Sequence, residues 1–174
     1  MRRFSKTFNI GHKTIKLYFA EYDDRKDVYP AMCSGIAFEQ PQYLFLDYDT
    51  KKPMKEGWHI VEEYELHRAL VVESSPNRYW FISFSPMNIA DICEIMFFSS
   101  ADKKHCAHMM WDGFVAIRLK EKVEGYPRIH YEMINQKGTN FYDYDRERAF
   151  REFFGMPPFR NIPLAKHMRF KRRR

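Results

Sequence analysis

Tyr43-Leu44-Phe45-Leu46-Asp47-Tyr48-Asp49 is the stretch of this sequence best suited to chemistry. Its short apolar run suits a central strand buried on both faces. The two acids at its end, spaced i, i+2, project to one side of a sheet. Two carboxylates held together repel each other unless a cation neutralises them. Their hard oxygens suit Mg²⁺ or Mn²⁺, and paired divalent ions serve in-line phosphoryl or nucleotidyl transfer. Asp47 and Asp49 are therefore candidate metal ligands, with turn-forming and helix-capping polarity as the plainer alternative. The same spacing recurs at Asp143-Tyr144-Asp145, but Arg146-Glu147-Arg148 follows it. Acids there suit a helix N-cap and first turn, and that pair is read as structural.

Two other stretches are equipped to meet phosphate. Glu73-Ser74-Ser75-Pro76-Asn77-Arg78-Tyr79 places hydroxyls, free N–H groups and a guanidinium in one turn. Such a turn can hold a triphosphate, Ser75 offering a hydroxyl and Arg78 a bidentate clamp. An ordinary hairpin turn is the alternative. Arg118 and Lys120, two apart on an expected strand, share a face that either meets phosphates or is simply solvated. His105 and His108 have helical i, i+3 spacing beside Asp102, a weak zinc pattern because no matching pair occurs elsewhere. Cys33, Cys93 and Cys106 form no CxxC pair. No disulfide framework is expected, and all three are read as buried core thiols.

The elements that must position these residues follow from periodicity and punctuation. Residues 13–20 and 43–46 read as strands. Residues 57–70 read as a helix, with Ile60, Val61, Tyr64, Ala69 and Leu70 on one face. Residues 70–73 and 78–84 form a hairpin around Ser74-Ser75-Pro76-Asn77. A helix then opens with Ser85 as N-cap and Pro86 as first residue, its stripe being Ile89, Ile92, Cys93 and Met96. Asp112-Gly113 reads as a tight turn into a strand at 114–119, which pairs with another at 128–133. The last helix covers 145–154 and stops at Gly155. The order β, β, α, β-hairpin, α, β, β, α predicts an α+β fold, a mixed or antiparallel sheet packed with helices.

At 174 residues, with 45% hydrophobic and 30% charged residues, disorder and fibrous classes are excluded, and about one domain is expected. No apolar run is long enough for a membrane span, and the basic N-terminus lacks the apolar core of a secretory signal. A cytoplasmic or nucleoid-associated protein without membrane contact is expected. Of 29 basic residues, six (Lys166, Arg169, Lys171, Arg172, Arg173 and Arg174) lie in the last nine positions, leaving 23 basic against 23 acidic in residues 1–165. The expected organisation is one domain over 1–165 and a basic tail over 166–174. Such tails are solvated and commonly touch nucleic acid.

The order of motifs over residues 40 to 122 resembles the archaeo-eukaryotic primase superfamily, above all its primase-polymerase branch in archaea, plasmids and viruses. The matching features are the apolar strand into Asp47-Tyr48-Asp49, then Glu73-Ser74-Ser75-Pro76-Asn77-Arg78-Tyr79. Asp102, with a nearby His, then precedes Gly113-Phe114-Val115 and Arg118-Leu119. The resemblance implies an RRM-like, primase-polymerase-like catalytic domain: a DNA primase or primase-polymerase, a metal-dependent template-directed nucleotidyltransferase of DNA replication or repair. It implies Asp47, Asp49 and Asp102 as catalytic ligands of Mg²⁺ or Mn²⁺, with Asp112 as the fallback for Asp102. Ser75, Arg78, Arg118 and Lys120 would bind the nucleotide. The implied partners are nucleoside triphosphates, a single-stranded or primed DNA template, and a helicase or accessory primase subunit. The family's second motif usually carries a His that contacts the incoming nucleotide; Trp80 stands at that place here. A non-catalytic RRM-like module that binds single-stranded nucleic acid is the competing class, and a two-metal nuclease is a third.

Overall fold

The computed structural model describes residues 2–10, 13–21, 31–35, 39, 41–49, 53–118, 123–138 and 141–158, with residues 2–21 and Arg118 described through their backbone alone. The chain divides into two compact units, residues 1–31 with 118–120, and residues 32–117 with 121–174. In the first, β1 (Arg2–Ile10) and β2 (Lys13–Glu21) form an antiparallel hairpin in unbroken register. β2 lies where a strand was expected. β1 was not expected, because Lys6 interrupts the alternation of Phe4, Phe8 and Ile10.

The remaining elements are β3 (Ala31–Cys33), β4 (Gln42–Tyr48), α1 (Met54–Glu63), β5 (Arg68–Ser75), β6 (Arg78–Met87), α2 (Ile89–Phe98), α3 (Lys103–Asp112), β7 (Ala116–Arg118), β8 (Arg128–Ile134) and α4 (Tyr144–Phe153). The fold is α+β, and the described residues form four helices, with an antiparallel main sheet packed against helices. The main sheet has the order β4-β6-β5-β8, every pair antiparallel. No helix among the described residues is long and apolar enough to cross a membrane.

Helices cover both faces of this sheet. Every residue of β5 is buried, as are all but two of β6. Successive strand residues face opposite sides, and β6 divides its side chains accordingly. Phe81 meets α1, where a Cβ on Gly57 would stand 2.8 Å from the Phe81 ring. Only glycine lets that helix come so close. On the other face Phe84 packs at a tilt against Phe150 of α4, and Trp80 packs with Phe154 just beyond it. A buried ionic cluster pins α4 to the sheet: Arg151 pairs with Glu147 and Glu132 at 2.6 and 2.7 Å, and Arg68 with Glu132 at 2.6 Å. Two arginines against two glutamates leave no net charge inside, which makes the burial affordable.

Several expectations are corrected. β4 is buried on both faces, but it is an edge strand rather than a central one. The helix expected at 57–70 ends at Glu63, because Glu65 has φ +49°, a left-handed conformation that stops a helix. Ala69 and Leu70 belong to β5. Ser85 and Pro86 do not open a helix; they continue β6, and Asn88 caps α2 by accepting from the Asp91 N–H at 2.8 Å. Asp112-Gly113 is not a hairpin turn but the end of α3, with Gly113 at φ +71° as its cap. β8 pairs with β5 and β7 with β3, instead of with each other. Cys106 is buried, whereas Cys93 is half-buried and Cys33 exposed.

Candidate functional site

An edge strand presents unpaired backbone groups on its outer side, and those of β4 are met one after another. Tyr43 donates its N–H to the Ser34 carbonyl at 2.8 Å. The Phe45 carbonyl accepts from the His105 ring Nε2 at 3.1 Å. The Asp47 carbonyl accepts from the Asp102 N–H at 2.7 Å. These three residues alternate, as outward-facing backbone groups of one strand must. The last contact brings Asp102 to the end of the strand that carries Asp47 and Asp49.

Each acid already has work. Asp47 lies opposite Trp80 in the β4–β6 register. Asp49 is exposed, and its carboxylate sits 3.5 Å from the Arg78 guanidinium. Asp102 is the N-cap of α3, one carboxylate oxygen accepting the Lys104 N–H at 3.0 Å. Asp112, the fallback, holds the ring of His108 at 3.0 Å. The i, i+3 histidine pair is thus divided between two separate partners.

The turn bearing Ser75 and Arg78 is shorter than expected. Pro76 and Asn77 alone connect the strands, and Asn77 has φ +61°, the pattern of a type II turn. Arg78 is half-exposed, while Ser75 is buried opposite it. Glu73 anchors this turn from behind. Its carboxylate accepts from Arg128 Nε and Nη2 at 3.0 and 2.8 Å and from the Asn77 N–H at 3.4 Å. Burial disfavours the charged form of Glu73, but those hydrogen bonds and the Arg128 charge outweigh it and hold its carboxyl below the ordinary value.

Glu56, in the first turn of α1, accepts from the buried Tyr48 hydroxyl at 2.6 Å and from the Ser100 N–H and hydroxyl at 3.0 and 2.7 Å. Burial, and then the Glu56 carboxylate, push the Tyr48 phenol far above its usual range. Neither Glu56 nor Arg128 was singled out from sequence. Ser100 lies 44 positions from Glu56 and Glu73 lies 55 from Arg128, and no local pattern announces such contacts.

Asp47, Asp49 and Asp102 supply only hard oxygen donors, which fits Mg²⁺ or Mn²⁺. As they stand, no three His, Cys, Asp or Glu side chains among the described residues are grouped closely enough to hold a metal ion. The side chain of Arg118, all of Lys120 and the basic tail lie outside the described residues. Compared with known proteins, the chain has no significant match to a family model, a curated protein or a solved structure.

Proposed function

We propose that this protein is a metal-dependent, template-directed nucleotidyltransferase of the primase-polymerase type. The observation that carries the reading is the hydrogen bond from Asp102 N–H to the Asp47 carbonyl. It joins residues 55 positions apart at one end of one sheet, and on this reading the three carboxylates would close there around a divalent ion. Asp47, Asp49 and Asp102 would hold Mg²⁺ or Mn²⁺, which when bound supplies charge neutralisation at the transferring phosphoryl group and activation of the attacking hydroxyl. Arg78, half-exposed beside Asp49, is placed to clamp a triphosphate. Ser75 would act through its backbone and the turn it closes, since its side chain is buried. Arg118 and Lys120 remain in this reading as phosphate contacts on the strength of the motif order alone.

The split β4-α1-β5 unit with β6 inserted between its strands, followed by α2 and later β8, supports an RRM-like, ferredoxin-like core. One departure is that β8 joins the β5 edge rather than lying beside β4. Template DNA, nucleoside triphosphates, a helicase or accessory subunit, and a cytoplasmic or nucleoid setting belong to the same proposal.

A non-catalytic nucleic-acid-binding module is the second reading. Trp80, at the place of the expected His, is buried against Phe154, where it cannot contact a nucleotide as that His would. Phe97, Phe98 and Trp111 are 74, 77 and 82% exposed, and exposed aromatics can stack on bases. The open-sheet form of this reading has no surface to use, since helices cover both faces. The test is extension of a primed DNA template with labelled deoxynucleotides and Mn²⁺, alongside triphosphate binding with and without metal. Incorporation supports the enzyme. Strand binding with neither incorporation nor metal-dependent triphosphate binding transfers the assignment to the module.

A further inference from the structure

The geometry points to Glu56 as the positioning residue of the candidate metal centre, setting the separation of its acids without touching the ion. The assignment deepens the metal-centre reading above and rests on it. Tyr48 lies between Asp47 and Asp49, and Ser100 lies two residues before Asp102. One carboxylate grips both: Tyr48 Oη at 2.6 Å, Ser100 N at 3.0 Å and Ser100 Oγ at 2.7 Å. The strand bearing two acids and the loop delivering the third are therefore tied to one side chain.

Two features suit Glu56 to this work. Near the start of α1 its negative charge sits at the favourable end of the helix dipole. Its Tyr48 partner is 1% exposed and the hydrogen bond is part-buried, which partly shields it from competing water. The backbone bond between Asp102 and Asp47 then keeps the loop on the strand edge, while Glu56 controls its approach from the α1 side. A charged acceptor with three donors is stronger and better directed than a neutral contact. Groups that orient metal ligands from behind typically contribute 10- to 100-fold to metal affinity.

The experiment is Mn²⁺ titration of the full chain, followed by electron paramagnetic resonance, with thermal melts of every variant. Glu56→Ala is expected to weaken Mn²⁺ affinity by about 10- to 100-fold. Glu56→Gln should stay close to wild type, because its amide oxygen accepts from Tyr48 and Ser100 N–H while its NH₂ donates to the Ser100 hydroxyl. Ser83→Ala removes a buried hydrogen bond to the Arg68 carbonyl, 2.7 Å long, and serves as the control for destabilisation alone. It should lower melting temperature without moving Mn²⁺ affinity. Wild-type binding that Glu56→Ala leaves unchanged overturns the role of Glu56 and spares the metal centre. Equal weakening in Glu56→Ala and Ser83→Ala also overturns it, as plain destabilisation. A wild-type chain that takes up no Mn²⁺ overturns both.

Discussion

Asp-Tyr-Asp occurs twice in this chain, at 47–49 and 143–145, and the two copies have different fates. Asp143 caps α4, accepting the Arg146 N–H at 2.9 Å and the Tyr43 hydroxyl at 2.8 Å. Asp145, in the first turn of α4, pairs with Arg148 at 2.7 Å. Each acid has a partner within three residues, as helix starts commonly arrange. At the end of β4 the contacts reach farther along the chain. Asp47 meets Trp80 across the sheet, Asp49 leans on Arg78, and Tyr48 turns inward to Glu56. The same three residues build a cap where a helix follows. Where a strand ends, the acid at 49 meets a guanidinium 29 positions away.

The largest difference between the copies should appear in activity. Asp47→Ala or Asp49→Ala is expected to drop Mn²⁺-dependent incorporation to background with a melting temperature close to wild type, since removing one of two repelling acids relieves charge. Asp143→Ala should leave incorporation intact. Primer extension and thermal melts of all three variants check this; equal loss of incorporation in all of them would erase the contrast.

Stability should show the reverse. Asp143→Ala removes an N-cap and the Tyr43 bond, costing about 1–2 kcal/mol. For a chain of this size each kcal/mol lowers the melting temperature by roughly 2–4 °C. Calorimetry on Asp143→Ala and Asp47→Ala separates the two roles.

The same cap predicts a pH dependence. Burial opposes the charge on Asp143, but the Arg146 N–H, the Tyr43 hydroxyl and the Arg146 charge outweigh it and hold its carboxyl below the ordinary value of 3.8. A lowered folded-state value makes the contribution complete above that ordinary value and lost as pH falls through the folded one. Asp143→Asn should therefore flatten the acid limb of stability below about pH 4, as denaturant melts across that range will read. An unchanged limb would mean that other acids control it.

The smallest effect concerns the other copy. Asp49 and Arg78 form a half-exposed pair, the kind worth about 0.2–1 kcal/mol. Asp49→Asn should release Arg78 and raise metal-free affinity for inorganic triphosphate by about two- to five-fold. Adding Arg78→Gln should cancel the gain, whereas Asp47→Asn, with the same charge change, should not produce it. Calorimetric titration of the four proteins settles whether the guanidinium or bulk charge is responsible.

Local chemistry was readable from sequence wherever partners lie close along the chain. The α4 cap, the β5–β6 hairpin, the apolar run of β4 and the stop at Gly155 all depend on neighbours within a few positions, and propensity acts at that range. Ser85-Pro86 shows where such reading fails. The pair is a sound helix start in isolation, but β6 runs through it because Met87 pairs with Gln42, a long-range ladder that outweighs a local preference. Only the tertiary structure decided that β4 is an edge, that β8 lies beside β5, and that His105 closes the Phe45 carbonyl. It alone joined Asp102 to Asp47 and Glu56 to Ser100. Each of those contacts spans tens of residues, and a chain specifies such pairs only through the whole set of packed faces, because no residue carries a local mark of the partner it will meet.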